Sequence, residues 1–398
     1  MRCFAIFDWG GIKSEPSYRH SVKLFHIARN WKNLLAKCLS SAKTSSDPAD
    51  IILRYSTDTI QGRYPWKPKP RTDLIGLENQ SVYIAGNEGL GVVEQLGSEV
   101  DPHDWRVGDW VIMGKPQLGT WQSHTNLKAT DLIKLSRSEK LTEVQAATMA
   151  VNLATAFRLI KDYYHPEDPH FKDGWIIQNG ANSSVGQFVI QLCKAWGIGC
   201  IGFVRDRPEI ESLRSHLIGL GQPDRTKIIT HEEFESDESL RTQLKSLNIC
   251  LGFNCVSGSV TNQIMKVLRP NSSLVTYGGM SMKPITVPTA SLIFKNLQLK
   301  GFMLTQSLST QPASAKADLM NDLLALVEKG QVSEQANAEI IDVDGLPKVQ
   351  DALMKAMGGK TDMPECKIKP NDLITALIQR PAYKSQIRVP GIPEGSNA

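Results

Sequence analysis

Two glycines and two arginines carry the clearest chemistry in this chain. The stretch from Trp175 to Arg207, WIIQNGANSSVGQFVIQLCKAWGIGCIGFVRDR, reads as strand, glycine-rich turn, amphipathic helix and second strand. A βαβ unit that holds a dinucleotide needs that order. Gly180 and Gly186, in NGANSSVGQ, let the backbone approach a pyrophosphate. The helix that follows offers its free N–H groups to the same anion. The second strand, Ile201 to Val204, ends in Arg205-Asp206-Arg207. An acid in this place binds a ribose 2′-hydroxyl, whereas arginine receives a 2′-phosphate. The two arginines favour NADPH, and Asp206 between them pulls the other way. Tyr277-Gly278-Gly279-Met280 follows the apolar Leu274-Val275-Thr276. Glycines at the carboxyl end of a strand let a ligand come close, at the edge where open α/β sheets bind.

These residues need a scaffold, and the chain divides into three regions. Residues 46–150 carry short alternating runs with turn signals (SVYIAGNEGLGVVEQLG, VGDWVIMG, GTWQSHTNL), the pattern of a compact β-domain. Residues 151–305 alternate strand and helix. After the βαβ unit come Ile228-Ile229, Cys250 to Asn254, Ser273 to Gly279 and Leu297 to Phe302, with a helix predicted over Val260 to Leu268. This is a doubly wound parallel sheet. A helix is predicted over Ala315 to Lys329, and residues 306–398 are expected to return to the β-domain.

At 398 residues the chain can bury two cores, and 41% hydrophobic with 22% charged residues is ordinary for a globular protein. No apolar run reaches the roughly 18–20 residues of a bilayer span. The net charge of +4 is concentrated early, with eight Lys and Arg against Asp8 and Glu15 in residues 1–45. The remainder shows no basic surface for nucleic acid. The first 45 residues suit either a transit peptide or a surface helix, and Val22 to Ser41 has the apolar spacing of an amphipathic helix. The seven cysteines include no CxxC pair, so reduced, buried thiols are expected, with no structural zinc. Glu88, between Asn87 and Gly89, reads as structural.

AGNEGLGVVEQLG (85–97), RVGDWVI (106–112) and NGANSSVGQ (179–187) resemble the medium-chain dehydrogenase/reductase superfamily. That resemblance implies a GroES-like β-domain beside a Rossmann cofactor domain. Zinc-dependent members carry a His where this chain has Asn87, so a zinc-free reductase is implied. TIQGRYP (59–65), Asn152 followed by TAFRL, VRDR, YGGM and Gly301-Phe302 narrow the resemblance to the mitochondrial trans-2-enoyl-CoA (enoyl-[acyl-carrier-protein]) reductases. The likeness implies NADPH-dependent reduction of the trans-2 double bond of enoyl thioesters, carried on coenzyme A or acyl carrier protein, in mitochondrial fatty-acid synthesis. A matrix location follows, with the cytoplasm as alternative, and a homodimer is implied.

Site residues carry over by position. Tyr64 would donate a proton or orient the thioester. Asn152, Asn182, Ser183, Ser184, Val185, Arg205, Asp206, Arg207, Tyr277, Gly278, Gly279, Met280, Phe302, Met303, Leu304 and Lys384 would line the NADPH site, with no metal. Segments 1–46, 52–58 and 361–383 depart from the family pattern. Two other readings stand beside this one: a zinc-free NADPH quinone or enone reductase, and a catalytically impaired nucleotide-binding relative.

Overall fold

The unbroken apolar runs become strands covered on both faces. The computed structural model describes residues 3–4, 21–26, 83–84, 86–120, 124–312 and 314–334. Within it, β8 (Trp175–Asn179), β9 (Gly199–Val204) and β11 (Ile249–Asn254) are buried at every position. With β10 (Thr226–Thr230), β12 (Ser273–Thr276) and β13 (Gln298–Gly301) they form one parallel sheet in the order β10-β9-β8-β11-β12-β13. A parallel sheet needs helices on both faces, which is why its middle strands are rich in apolar residues.

The helices in chain order are α1 (Glu143–Thr148), α2 (Ala154–Tyr163), α3 (Ser184–Ala195), α4 (Ile210–Leu220), α5 (His231–Ser236), α6 (Glu238–Lys245), α7 (Thr261–Val267), α8 (Thr289–Ile293), α9 (Leu304–Ser309) and α10 (Ala315–Glu328). Side chains alternate across the sheet. Ile176, Cys200, Val204 and Val275 meet residues of α2, α3 and α10 on one face. Trp175, Ile177, Ile201, Phe203 and Leu274 meet Phe234, Leu244, Ile264 and Met265 on the other.

A second, antiparallel sheet has the order β6-β2-β4-β5-β7. Its strands are β2 (Ser21–His26), β4 (Leu90–Leu96), β5 (Trp110–Met113), β6 (His124–Lys128) and β7 (Leu132–Leu135). Two further short strands, β1 (Cys3–Phe4) and β3 (Tyr83–Ile84), pair in parallel. Val93, Val111, Met113 and Leu132 enclose one small core. Leu90, Trp110, Ile112 and Leu135 face the other way and join the core of α1–α3, so the two sheets share packing.

The amphipathic helix expected over Val22 to Ser41 is corrected at its start. Ser21–His26 is a central strand, with Val22 opposite Leu96 on one side and Leu127 on the other. Ladders on both flanks satisfy the backbone, and that tertiary context outweighs helical apolar spacing. Residues 27–41 lie outside the described residues.

Candidate active site

The register of the parallel sheet brings most of the predicted cofactor residues to one edge. Asn179 pairs with Phe203, Asn254 with Thr276, and Thr276 with Gly301. The segments Asn182–Val185, Arg205–Arg207, Tyr277–Met280 and Phe302–Leu304 therefore all leave the sheet at its carboxyl edge.

The first of these turns is built around absent side chains. Gly180 has φ +62°, and a Cβ on it would meet the Cys255 Sγ at 2.6 Å. A Cβ on Gly186 would lie 2.7 Å from the carbonyl oxygens of Gly180 and Ala181. The chain thus turns from β8 into α3 with no space to spare. Ser183 caps α3, its Oγ accepting the Gly186 N–H at 3.1 Å. The helix N-terminus beside it carries partial positive charge, which suits a pyrophosphate. The Tyr277 hydroxyl is enclosed beside Ser183 and Cys255, and burial raises its pKa well above the usual phenol value. Burial likewise pushes the Cys255 thiol up to about 11.

At the end of β9, Arg205 is exposed and Arg207 half-buried. Asp206 does not reach outward with both oxygens, because its Oδ1 accepts the Arg207 N–H at 2.9 Å. Its own N–H donates to Glu232 Oε2 at 3.3 Å. Two guanidinium groups beside an occupied carboxylate fit a 2′-phosphate better than a bare ribose.

A buried amide network, which the sequence reading missed, fixes this edge. Asn179 Nδ2 donates to Asn254 Oδ1 at 2.8 Å, and Asn254 Nδ2 to Thr276 Oγ1 at 3.1 Å. Asn179 Oδ1 accepts the Cys255 and Val256 N–H groups at 2.8 and 3.2 Å. Asn254 Oδ1 also accepts from Ser257 N and Thr261 Oγ1. Met280 N donates to Cys255 O at 2.9 Å, tying the YGGM turn to the loop after β11. Phe302 N donates to Thr276 O at 2.9 Å, and the Phe302 ring stands edge-on to Tyr163 with centroids 6.4 Å apart.

Asn152 lies apart in sequence, in a wide π-type turn, Met149–Leu153, that leads into α2 and packs on α3. It is 3% exposed. Glu88 reaches this turn from the other sheet, accepting the Val151 N–H at 2.7 Å. Burial lifts the Glu88 carboxyl to about 8, and burial lowers Lys316 on α10 to about 8. Asn87 Oδ1 accepts the Gln117 N–H at 2.8 Å. Among the described residues no group of three or more His, Cys, Asp or Glu is placed to hold a metal ion. Tyr64 and Lys384 lie outside the described residues.

Comparison with known proteins gives the family. A family model for zinc-binding dehydrogenases matches residues 184–321. The chain is 37% identical over 336 residues to the mitochondrial enoyl-[acyl-carrier-protein] reductase of Yarrowia lipolytica, covering 82% of this chain and 83% of that protein. Among solved structures, it is similar to the mitochondrial 2-enoyl thioester reductase Etr1p/Etr2p heterodimer of Candida tropicalis. That match is 30% identical with a TM-score of 0.65, covering 79% of this chain and 82% of that one. The complex of Etr1p with NADP and crotonyl-CoA is 28% identical with a TM-score of 0.66, covering 81% and 84%.

Proposed function

Since the chain belongs to the mitochondrial enoyl-[acyl-carrier-protein] reductase family, we propose that it reduces the trans-2 double bond of enoyl thioesters with NADPH. The observation that carries this reading is the common carboxyl edge. There a glycine turn, a capped helix N-terminus and two arginines come together. These groups fit a 2′-phosphorylated dinucleotide.

When bound, NADPH supplies hydride to the β-carbon of the thioester. The chain's own residues do the rest. The N-terminus of α3 and the Ser183–Val185 turn take the pyrophosphate, and Arg205 and Arg207 take the 2′-phosphate. Asn152, Tyr277–Met280 and Phe302–Leu304 would line the rest of the NADPH site, with Lys384 as a further candidate contact. Tyr64 donates a proton on the α-carbon side or orients the thioester, roles open to a phenol hydroxyl. No step needs a bound metal. The thioester is carried by coenzyme A or acyl carrier protein, and crotonyl-CoA occupies the Etr1p complex.

The two halves divide as residues 1–150 for a GroES-like β-domain, 151–305 for the Rossmann domain, and 306–398 returning to the first. The relatives are mitochondrial proteins, which supports a matrix location for this one. No described helix is long and apolar enough to cross a membrane. A homodimer forms through β13. That strand ends the sheet, every residue in it is exposed, and Ile293 and Phe294 beside it are 67% and 80% exposed. An open edge with apolar flanks is a template for a second strand.

The test is oxidation of NADPH by the purified protein with trans-2-hexenoyl-CoA, beside a quinone and an NADH control. Turnover on the thioester and not on the quinone supports the reading. Turnover on the quinone alone replaces it with the quinone-reductase alternative.

A further inference from the structure

Glu88 is a buried acid that the reaction above does not use, and its surroundings are unusually fixed. It sits in the loop between β3 and β4. Thr120 Oγ1 donates to Glu88 O at 2.8 Å, Thr120 N to Gly86 O at 3.1 Å, and Gln117 N to Asn87 Oδ1 at 2.8 Å. Three bonds, at Glu88 and the two residues before it, fix the backbone from which its side chain reaches out. The side chain crosses from the antiparallel sheet to the turn that precedes α2, where Oε1 accepts the Val151 N–H at 2.7 Å. The Ala150 N–H also faces the carboxyl. Oε2 is enclosed and makes no hydrogen bond.

A helix-type turn that leaves an N–H unbonded is ordinarily served by a nearby Ser, Thr or Asn. Here the acceptor comes from 63 residues upstream and from the other sheet. It is an acid whose burial costs free energy. A local cap would satisfy the N–H without fixing the turn's position relative to the β-sheet, whereas a long-range arm does both. Lys316 braces the same place from α10, its Nζ donating to Met113 O at 2.8 Å while its charge acts on Glu88.

We propose that Glu88 is a positioning residue for the cofactor. Its carboxyl holds the Met149–Leu153 turn against the antiparallel sheet and so sets where Asn152, the next residue after the one it bonds, meets the dinucleotide. The inference rests on the reading of Asn152 as a cofactor contact. The acceptor oxygen is what matters, so an amide in place of the acid keeps the function and a methyl does not.

The test measures NADPH dissociation constants by fluorescence, with Tm, for wild type, Glu88→Ala, Glu88→Gln, Asn152→Ala and the Glu88→Ala/Asn152→Ala pair. Loss of one buried hydrogen bond corresponds to about tenfold in affinity. The expected result is about tenfold weaker NADPH in Glu88→Ala and near wild-type binding in Glu88→Gln. The double variant should be no weaker than Asn152→Ala alone, the non-additivity of a shared pathway. A purely structural role moves Tm in Glu88→Ala but adds its effect independently of Asn152, and that result overturns the proposal. So does unchanged NADPH binding in Glu88→Ala when Asn152→Ala binds weakly. If Asn152→Ala itself binds NADPH normally, the Asn152 assignment fails on its own measurement and the inference falls with it.

Discussion

The Cys255 Sγ occupies the space into which a side chain on Gly180 would project, 2.6 Å from where that Cβ would stand. The turn after β8 and the loop after β11, 75 residues apart, are interlocked at one missing side chain. Gly180→Ala therefore carries two penalties: about 1–2 kcal/mol for a left-handed backbone and about 1–3 kcal/mol for overpacking. Denaturant unfolding should show that loss. Adding Cys255→Ala should return the packing part and leave the backbone part, a double-variant cycle that separates the two. Equal stability of Gly180→Ala and wild type would refute the interlock.

Arg205 and Arg207 should set the choice of dinucleotide. With Asp206 Oδ1 engaged by the Arg207 N–H, the guanidinium groups supply the positive charge that suits a 2′-phosphate. Charge-assisted bonds of this kind contribute about 1.5–3 kcal/mol each. Arg205→Ala/Arg207→Ala should raise KM for NADPH at least about tenfold, by the same magnitude, and leave KM for NADH unchanged. Steady-state kinetics with both nucleotides checks it. A parallel rise in both constants would place the arginines elsewhere.

Glu88 and Lys316 predict the shape of the stability curve against pH. The Glu88 carboxyl, normally near 4.5, titrates at about 8 in the fold, so the native state keeps a proton that the unfolded state releases. Its contribution to stability is complete below 4.5 and declines as pH rises towards 8. Lys316 is lowered from 10.5 to about 8, and there the sign reverses: stability recovers between 8 and 10.5. Glu88→Gln removes the first limb. The variant should gain on wild type steadily from pH 5 to 8 in urea midpoints. A difference that does not change with pH would contradict this.

The exposed edge of β13 predicts the assembly. Leu299→Lys places a charge on the edge strand, and Phe294→Asp places one on the apolar flank. Sedimentation should show a dimer for wild type and a monomer for the pair of substitutions, without loss of secondary structure. A wild-type monomer at micromolar concentration would remove β13 as an interface.

The parallel sheet was legible because its middle strands β8, β9 and β11 are buried on both faces and carry short apolar runs, Trp175–Ile177 and Ile201–Val204 among them. The site's glycines were legible for the same local reason, since a turn from strand into helix leaves its mark within a few residues. The Asn179–Asn254 bond was not, because two asparagines 75 residues apart carry no shared period. Glu88 reads from its neighbours as structural; its contact with the Val151 N–H and its proximity to Lys316 are hidden by sequence distance. Val22 and Phe25 fit the helical spacing expected over Val22 to Ser41, and only pairing with β4 and β6 makes Ser21–His26 a strand.

Hydride passes from NADPH to the β-carbon of an enoyl thioester. Single-turnover reaction of the protein with NADPH carrying deuterium at both C4 positions and trans-2-hexenoyl-CoA, read by mass spectrometry and NMR of the product, tests it most directly. The expected product is hexanoyl-CoA with one deuterium at the β-carbon and a solvent-derived proton at the α-carbon. NADPH bound with no labelled acyl product, or deuterium at the α-carbon, would contradict it.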